Sequence, residues 1–359
     1  MENMKLWYMI FLKKKKDELG FANDEVARVV AEYKEAYRVK NENGEYVARI
    51  VGRILHNAKN RDDYPAVGDW VVVEQVDEKQ MVIKAILPRR TVTKRSSGDR
   101  TRRGGKGAQQ IIAVNVDVAF VVGAVGRDFN LNRLERYVVL AKESRVKPVI
   151  VLNKVDLVQN DEWQEMKKKI EMRFPEVEVV ATSTIDSLGM AELKEKIESG
   201  LTYCFLGSSG VGKSTLINGL LGENLIKSNE VSLYSEKGKH TTTRRDMYFL
   251  DNGGMVIDNP GMREVGLIST DGNKNELNDG LLEAFGACQY RDCTHMHEPG
   301  CKILEAVARG ELDEDKYQNY QRMRKEVEFD DSDERSRRKK DRQFGKMKKR
   351  YQEMNRNYL

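Results

Sequence analysis

Between Ala27 and Leu87 the apolar residues come in short groups. Val26, Val29 and Val30 form one, Tyr46, Val47 and Ile50 a second, Trp70 to Val73 a third, and Met81 to Ile86 a fourth. Turn pairs such as Asn43-Gly44 and Asp77-Glu78 separate them. Several short strands in so little chain predict a small β-barrel. An OB-like barrel is the expected form, and an SH3-like barrel fits the pattern nearly as well.

From Ile111 the texture changes to alternating strands and helices. Val118–Val122 is a continuous apolar strand, and Leu131, Leu134, Val138 and Ala141 follow at helical spacing. Val149–Leu152 is a second buried strand, followed by a helix over Asp161–Phe174, a strand over Val177–Ala181 and a helix over Met190–Ile197. Tyr203–Leu206 then leads through a glycine-rich turn into a helix over Lys213–Leu221, and Met247–Leu250 and Met255–Ile257 add two strands. Repeated βα units imply a parallel sheet covered on both faces. From about Leu281 the chain turns polar and helical. The expected organisation is an extension over 1–26, the barrel over 27–90, a basic linker over 91–110, the α/β domain over 111–280 and a helical segment with a basic tail over 281–359.

Composition narrows the class. With 359 residues, 40% hydrophobic, 33% charged and six prolines, the chain is neither wholly disordered, collagen-like nor a disulfide scaffold. No apolar run approaches the ~18 residues of a membrane span. Lys13 to Lys16 follow the short apolar stretch Leu6–Leu12, the wrong order for a signal peptide, so a cytoplasmic location without a membrane partner is expected. The net charge of +5 hides two basic segments. Ten Lys/Arg against one acid lie in Arg335–Arg350, and eight against one in Arg89–Lys106, on an otherwise acidic body. Basicity concentrated in this way suits contact with a polyanion.

The chemistry begins at Gly207-Ser208-Ser209-Gly210-Val211-Gly212-Lys213-Ser214, which fits G-x-x-x-x-G-K-[ST] between an apolar strand and a helix. Such a loop turns backbone N–H groups toward phosphate oxygens, and the helix N-terminus adds its dipole. Lys213 would reach the β- and γ-phosphates and Ser214 would ligate Mg²⁺. Asn153-Lys154-Val155-Asp156 stands at the C-terminal end of a strand, where open α/β sheets bind ligands. A carboxylate at Asp156 accepts from guanine N1–H and N2–H, whereas adenine would leave it unpaired at a cost of about a few kcal/mol. Asp258-Asn259-Pro260-Gly261 follows a strand. There Asp258 can hold Mg²⁺ through water and the Gly261 amide can sense the γ-phosphate. Gly238-Lys239-His240-Thr241-Thr242-Thr243 is a polar loop able to supply a threonine to Mg²⁺, Thr241 and Thr242 being the candidates. The base motif precedes the P-loop, the reverse of ordinary GTP-binding domains. This circular permutation sends the loop after Asp258 straight into the C-terminal segment.

Cys288-x₄-Cys293-x-His295-x₅-Cys301 offers three thiolates and an imidazole within 14 residues, a closed tetrahedral set for one structural Zn²⁺. A disulfide is the competing reading and would leave an odd thiol. His297 is the rival to His295 as ligand. Cys204, within an apolar strand, reads as a buried inert thiol.

The ordered set of motifs resembles the circularly permuted GTPases that act on the small ribosomal subunit, the RsgA (YjeQ/YloQ) family. The resemblance covers about Ala27 to Tyr320. It rests on Asn115-Val116-Asp117, Asn153–Asp156, Gly207–Thr215, Gly238–Thr243, Asp258–Gly261 and the cysteine cluster. It implies a multidomain chain: an N-terminal OB-like β-barrel, a central α/β circularly permuted P-loop GTPase domain, and a C-terminal α-helical zinc-binding domain. GTP with Mg²⁺ is the implied ligand, and the small (30S) subunit and its rRNA are the implied partners of a monomer. Thr182-Ser183 stands where the family carries a Ser-Ala-type base loop, and Thr215 completes the phosphate loop. Met262 occupies the place where many GTPases carry a water-orienting glutamine. His240, at a place where similar proteins have a histidine, becomes the candidate for that role.

Two function classes compete. One is a GTPase stimulated by the small subunit during late maturation. The other is a nucleotide-controlled RNA-binding module in which hydrolysis is incidental. A P-loop kinase for a small metabolite is disfavoured, because the base motif leaves no acceptor pocket.

Overall fold

The computed structural model describes residues 16–21, 25–33, 36–58, 60–96, 109–222, 245–258, 286, 288–290 and 293–331. His240, Thr241, Thr242, Gly261, most of the basic linker and the basic tail lie outside the described residues. So does nearly all of the N-terminal extension. Two compact units emerge: the barrel with the α/β domain, and the C-terminal cysteine region with its helices.

The barrel comprises β1 (Glu25–Glu32), β2 (Tyr37–Asn41), β3 (Gly44–Ile50), β4 (Trp70–Gln75) and β5 (Gln80–Ile86), with a short helix α1 (Gly52–Asn57) after β3. The strand order is β1-β2-β3-β5-β4, and β1 also pairs with β4, which closes the barrel. β3 runs parallel to β5 while the other neighbours are antiparallel. This closed five-stranded order is the OB-like form. The alternation of β2, with Tyr37 and Val39 inside and Arg38 and Lys40 on the other face, is a half-buried strand that the apolar groups alone did not reveal.

The α/β domain contains β8 (Val118–Ala124), α2 (Leu131–Glu143), β9 (Lys147–Asn153), α3 (Asn160–Arg173), β10 (Val179–Thr182), α4 (Met190–Glu195), β11 (Thr202–Leu206), α5 (Lys213–Leu221), β12 (Asp246–Phe249) and β13 (Met255–Asp258). β6 (Val92–Ser96) and β7 (Gln109–Val114) form a separate ribbon between barrel and domain. The domain's strands lie in the order β10-β9-β8-β11-β13-β12. Neighbours are parallel except β12, which is antiparallel to β13. The departure from a wholly parallel sheet follows from the tight turn Leu250–Gly254, closed by the Leu250 and Gly253 amides, which joins these two strands as a hairpin. Phe120, Tyr203, Phe205, Leu216 and Ile217 fill the core beneath the helices.

Barrel and α/β domain are joined by hydrogen bonds rather than by a loose tether. Arg28 of β1 is buried, its Nε donating to Gly68 O at 2.8 Å, and its Nη2 to Asn115 O at 3.2 Å and to Thr202 Oγ1 at 3.1 Å. Its guanidinium stacks on Trp70. Asn115 accepts from the Arg90 amide and donates to Gly68 O, while Asp117 accepts from the Thr202 amide and pairs with Arg90. Asn115-Val116-Asp117 is therefore the joint of the two bodies. Arg89 is a fork on Asp69, at 2.8 and 2.7 Å, and Lys94 pairs with Asp62. Three basic side chains of the Arg89–Lys106 stretch are thus held within the fold. Among the described residues, no helix is long and apolar enough to cross a membrane.

Replacing Arg28 by Ala removes three buried hydrogen bonds at the joint, and the variant should lose about 3 kcal/mol in urea unfolding. Arg28→Lys should recover little of it, because an ammonium cannot reproduce the fork. A loss below about 1 kcal/mol for Arg28→Ala would show the joint to be held by something else.

Candidate nucleotide site and metal cluster

The C-terminal ends of β11 and β9 bring the two principal motifs together. Gly207 to Gly212 curls between β11 and α5, with Gly207, Gly210 and Gly212 all at positive φ. Two of these glycines are dictated by their neighbours. A Cβ at Gly207 would lie 2.5 Å from Val122 O, and one at Gly212 would lie 2.3 Å from Asn153 Nδ2. The loop is packed against the strand that carries the base motif. Lys213 is buried in the first turn of α5, its Nζ donating to Gly207 O at 2.8 Å and to Ser208 O at 2.7 Å. Ser208 and Val211 are buried, Ser214 is half-buried, and Ser209 and Thr215 are exposed.

Asn153, 1% exposed at the end of β9, ties three segments. Its Nδ2 donates to Val211 O of the P-loop at 2.8 Å, and its Oδ1 accepts from Thr182 Oγ1 of β10 at 3.0 Å. Its backbone carbonyl accepts from the Val125 amide. Lys154 follows in the left-handed region, with its Cε within 4 Å of the space beside Gly212. Val155 is buried, and Asp156 presents an exposed carboxylate on the same turn. Thr182 and Ser183 are both fully buried. Thr182 fixes Asn153, and Ser183 Oγ accepts from the Ile185 amide while its own amide donates to Leu188 O. Their hydrogen bonds hold the end of β10 and the turn that follows it.

Asp258 ends β13 beside the P-loop. Burial pushes its carboxyl up to about 6, opposed by Lys213 and reinforced by Asp246. Burial pulls Lys213 down to about 8, against the attraction of Asp258. Each group has lost water that the other does not fully replace. Among the described residues, Asp258 Oδ1 and Ser208 Oγ are buried without a hydrogen-bond partner. A carboxylate oxygen and a hydroxyl oriented beside a phosphate cradle are hard oxygen donors of the kind Mg²⁺ takes, with Ser214 adjacent. The donor set fits a phosphate-bound Mg²⁺.

The second constellation lies in the C-terminal unit, ahead of α6 (Lys302–Ala308) and α7 (Glu314–Asp331). The ligand atoms of Cys288, Cys293, His295 and Cys301 all lie within 4.8 Å of one another. Cys288 Sγ is 3.8 Å from Cys301 Sγ, and His295 Nδ1 is 3.5 and 3.4 Å from those two sulfurs. Zn–S and Zn–N bonds of about 2.3 and 2.0 Å at tetrahedral angles give edges of about 3.8 and 3.5 Å, so the cluster has the dimensions of a closed metal site. His295 is the histidine of the set, and its rival His297 is exposed outside it. The loop owes its shape to Glu298, whose carboxylate accepts from the amides of Thr294, Met296 and His297. The Thr294 hydroxyl and these amides hold that carboxyl well below its usual range. Tyr317 donates to His295 O at 2.6 Å. Ligand spacing does not single out Glu298, although the Glu298-Pro299-Gly300 turn signal stands beside the ligands. Cys204, wholly buried in β11, is pushed up to about 12 by burial and is chemically quiet.

A phosphate cradle locked to an Asn-Lys-x-Asp strand, with the base motif ahead of the phosphate loop in the chain, defines a circularly permuted P-loop GTPase. A family profile described as RsgA GTPase matches residues 86–268. A small ribosomal subunit biogenesis GTPase, RsgA 1 of Bacteroides thetaiotaomicron, is 37% identical over 89% of this chain and 88% of its own. YjeQ from Thermotoga maritima superposes with a TM-score of 0.62 at 26% identity, over 84% of this chain and 98% of that one. YloQ, a circularly permuted GTPase, gives 0.59 at 23%, over 85% and 96%. The chain belongs to the RsgA GTPase family and hydrolyses GTP.

The geometry of the cysteines predicts a thiol count. Purified protein should show no reactive thiol at neutral pH, and a strong chelator should expose three, with the fourth, Cys204, appearing only in denaturant. Four reactive thiols in native protein before chelation would contradict both the metal site and the burial of Cys204.

Proposed function

We propose that this protein is a GTP-hydrolysing assembly factor that binds the small (30S) ribosomal subunit and its rRNA during late maturation, with turnover stimulated by the subunit. The observation that carries the nucleotide half is Asn153, whose amide joins the P-loop to the base loop and fixes their spacing. The subunit half is supported by the name of the Bacteroides relative, whose matched length spans most of both chains.

In this reading Gly207 to Ser214 and Thr215 wrap the phosphates, with backbone amides and Lys213 supplying positive charge. Lys154 lies along the nucleotide, Val155 supports its turn, and Asp156 accepts from guanine N1–H and N2–H. Thr182 and Ser183 line the opposite side of the base. Ser214 and Asp258, with Thr241 or Thr242, hold Mg²⁺, and Gly261 senses the γ-phosphate. Mg²⁺ neutralises charge on the β- and γ-phosphate oxygens. His240 orients the attacking water in place of the glutamine that Met262 replaces. Cys288, Cys293, His295 and Cys301 hold one structural Zn²⁺, the metal that three thiolates and an imidazole favour. The barrel and the basic segments meet rRNA phosphates, and the protein works as a cytoplasmic monomer.

Exchanging Asp156 for Asn replaces an acceptor by a donor where guanine presents its amine. GTP affinity should fall by about a hundredfold, and xanthosine triphosphate, which offers a carbonyl there, should bind better than GTP. Unchanged preference would remove Asp156 from base recognition. GTP turnover measured with and without small subunits at two salt concentrations should rise strongly with subunits, and the rise should shrink with salt. Equal rates would favour the RNA-binding module with incidental hydrolysis. His240→Ala should lower turnover and spare GTP affinity; an unaltered rate would exclude His240 from the chemistry.

A further inference from the structure

One row of side chains crosses from the barrel into the nucleotide site. In the ladder, Arg38 of β2 is opposite Ala31 of β1, Ala31 is opposite Asp246 of β12, and Asp246 is opposite Asp258 of β13. Residues directly opposite on neighbouring strands share a face, so these four stand in line. Ala31 carries only a methyl group. The Arg38 side chain therefore passes over it, spanning two strand spacings of about 4.8 Å each, and brings Nη2 to 3.6 Å from Asp246 Oδ1. Arg38 Nε also lies 3.5 Å from Glu45 Oε2. Both contacts are ion-pair distances rather than tight hydrogen bonds. The Asp246 side chain is 15% exposed and that of Arg38 is 35% exposed, so the barrel end of the row opens to solvent and the other end is closed. Beside it Arg245 of the domain faces Glu32 of the barrel at 4.0 Å.

We propose that Asp246 is a positioning residue of the hydrolytic site, adding negative potential at the Mg²⁺-holding Asp258, and that Arg38 of the barrel counterbalances it. The inference rests on the GTPase reading above and deepens it, since it makes the barrel a direct electrostatic regulator of the site's demand for Mg²⁺. The two partners act with opposite sign. Asp246 draws a divalent cation toward Asp258, and Arg38 offsets part of that pull. A polyanion that engages the solvent-facing guanidinium would remove the offset and strengthen the hold on Mg²⁺. Barrel contact and nucleotide state are coupled in this way through a pair of charges.

The test uses the full chain and GDP carrying a fluorescent N-methylanthraniloyl group, with its affinity measured across a Mg²⁺ titration. Asp246→Asn should raise the Mg²⁺ concentration at the midpoint by about fivefold, and Arg38→Gln should lower it by about threefold. Arg38→Lys, which keeps the charge, should stay close to the unaltered protein. A purely structural ion pair predicts the same direction for both single variants, because each breaks the same contact. Shifts in a common direction, or none in either variant, overturn the proposal. Arg38→Gln changes a partly exposed side chain, so an unmoved midpoint in that variant alone is also sufficient to overturn it. Failure of the unaltered protein to bind the labelled GDP at any Mg²⁺ concentration overturns the GTPase reading instead, which separates the two.

Discussion

The nucleotide site depends on one buried amide. Asn153 donates to the P-loop at Val211 and accepts from β10 at Thr182, so the strand end that would read the base and the loop that would hold the phosphates cannot move independently. Both of its hydrogen-bonding ends are used and water is excluded. Removing it would leave a buried carbonyl and a buried hydroxyl unpaired, each costing about 1–3 kcal/mol. The same contact explains Gly212, where any side chain would strike the amide. It also explains why permutation is tolerated. The grip is made across the sheet between β9 and the turn after β11, and cross-sheet contacts do not depend on the order in which the chain visits the strands.

Permutation has a structural consequence at the other edge of the sheet. The domain opens at Asn115 and Asp117, and both residues are hydrogen-bonded into the barrel joint with Arg28, Arg90 and Thr202. β12 pairs on one side with β13 and on the other with β1 of the barrel. Barrel and α/β domain therefore share one continuous hydrogen-bonded ladder, and β12, which follows Gly238–Thr243 in the chain, is the domain strand that pairs with the barrel. A change of position in β12 would be felt in both bodies.

Much of this was legible along the chain because it depends on local pattern. The strand–glycine loop–helix at Thr202–Leu221, the base motif ending β9 and the Cys/His spacing each announce themselves within a few residues. Other features needed the third dimension. Spacing could not choose between His295 and His297, because both fit a turn before Cys301; the Glu298 nest settles the geometry. Strand β2 was hidden by its polar residues, since Arg38 and Lys40 face outward while Tyr37 and Val39 fill the barrel core. Arg89, Arg90 and Lys94 counted as free positive charge in the sequence, whereas their partners Asp69, Asp117 and Asp62 lie 20 to 32 residues away. The role of Asn115 is invisible in sequence, because its partners come from the barrel.

The central claim is that Asn153–Asp156 and Gly207–Ser214 grip a single guanine nucleotide by its base and its phosphates. Isothermal calorimetry of the full chain with GDP and with ADP tests it most directly. Tight binding of GDP, with ADP weaker by at least about a hundredfold, is the expected result. Equal affinity for the two, or no heat with GDP, would contradict it.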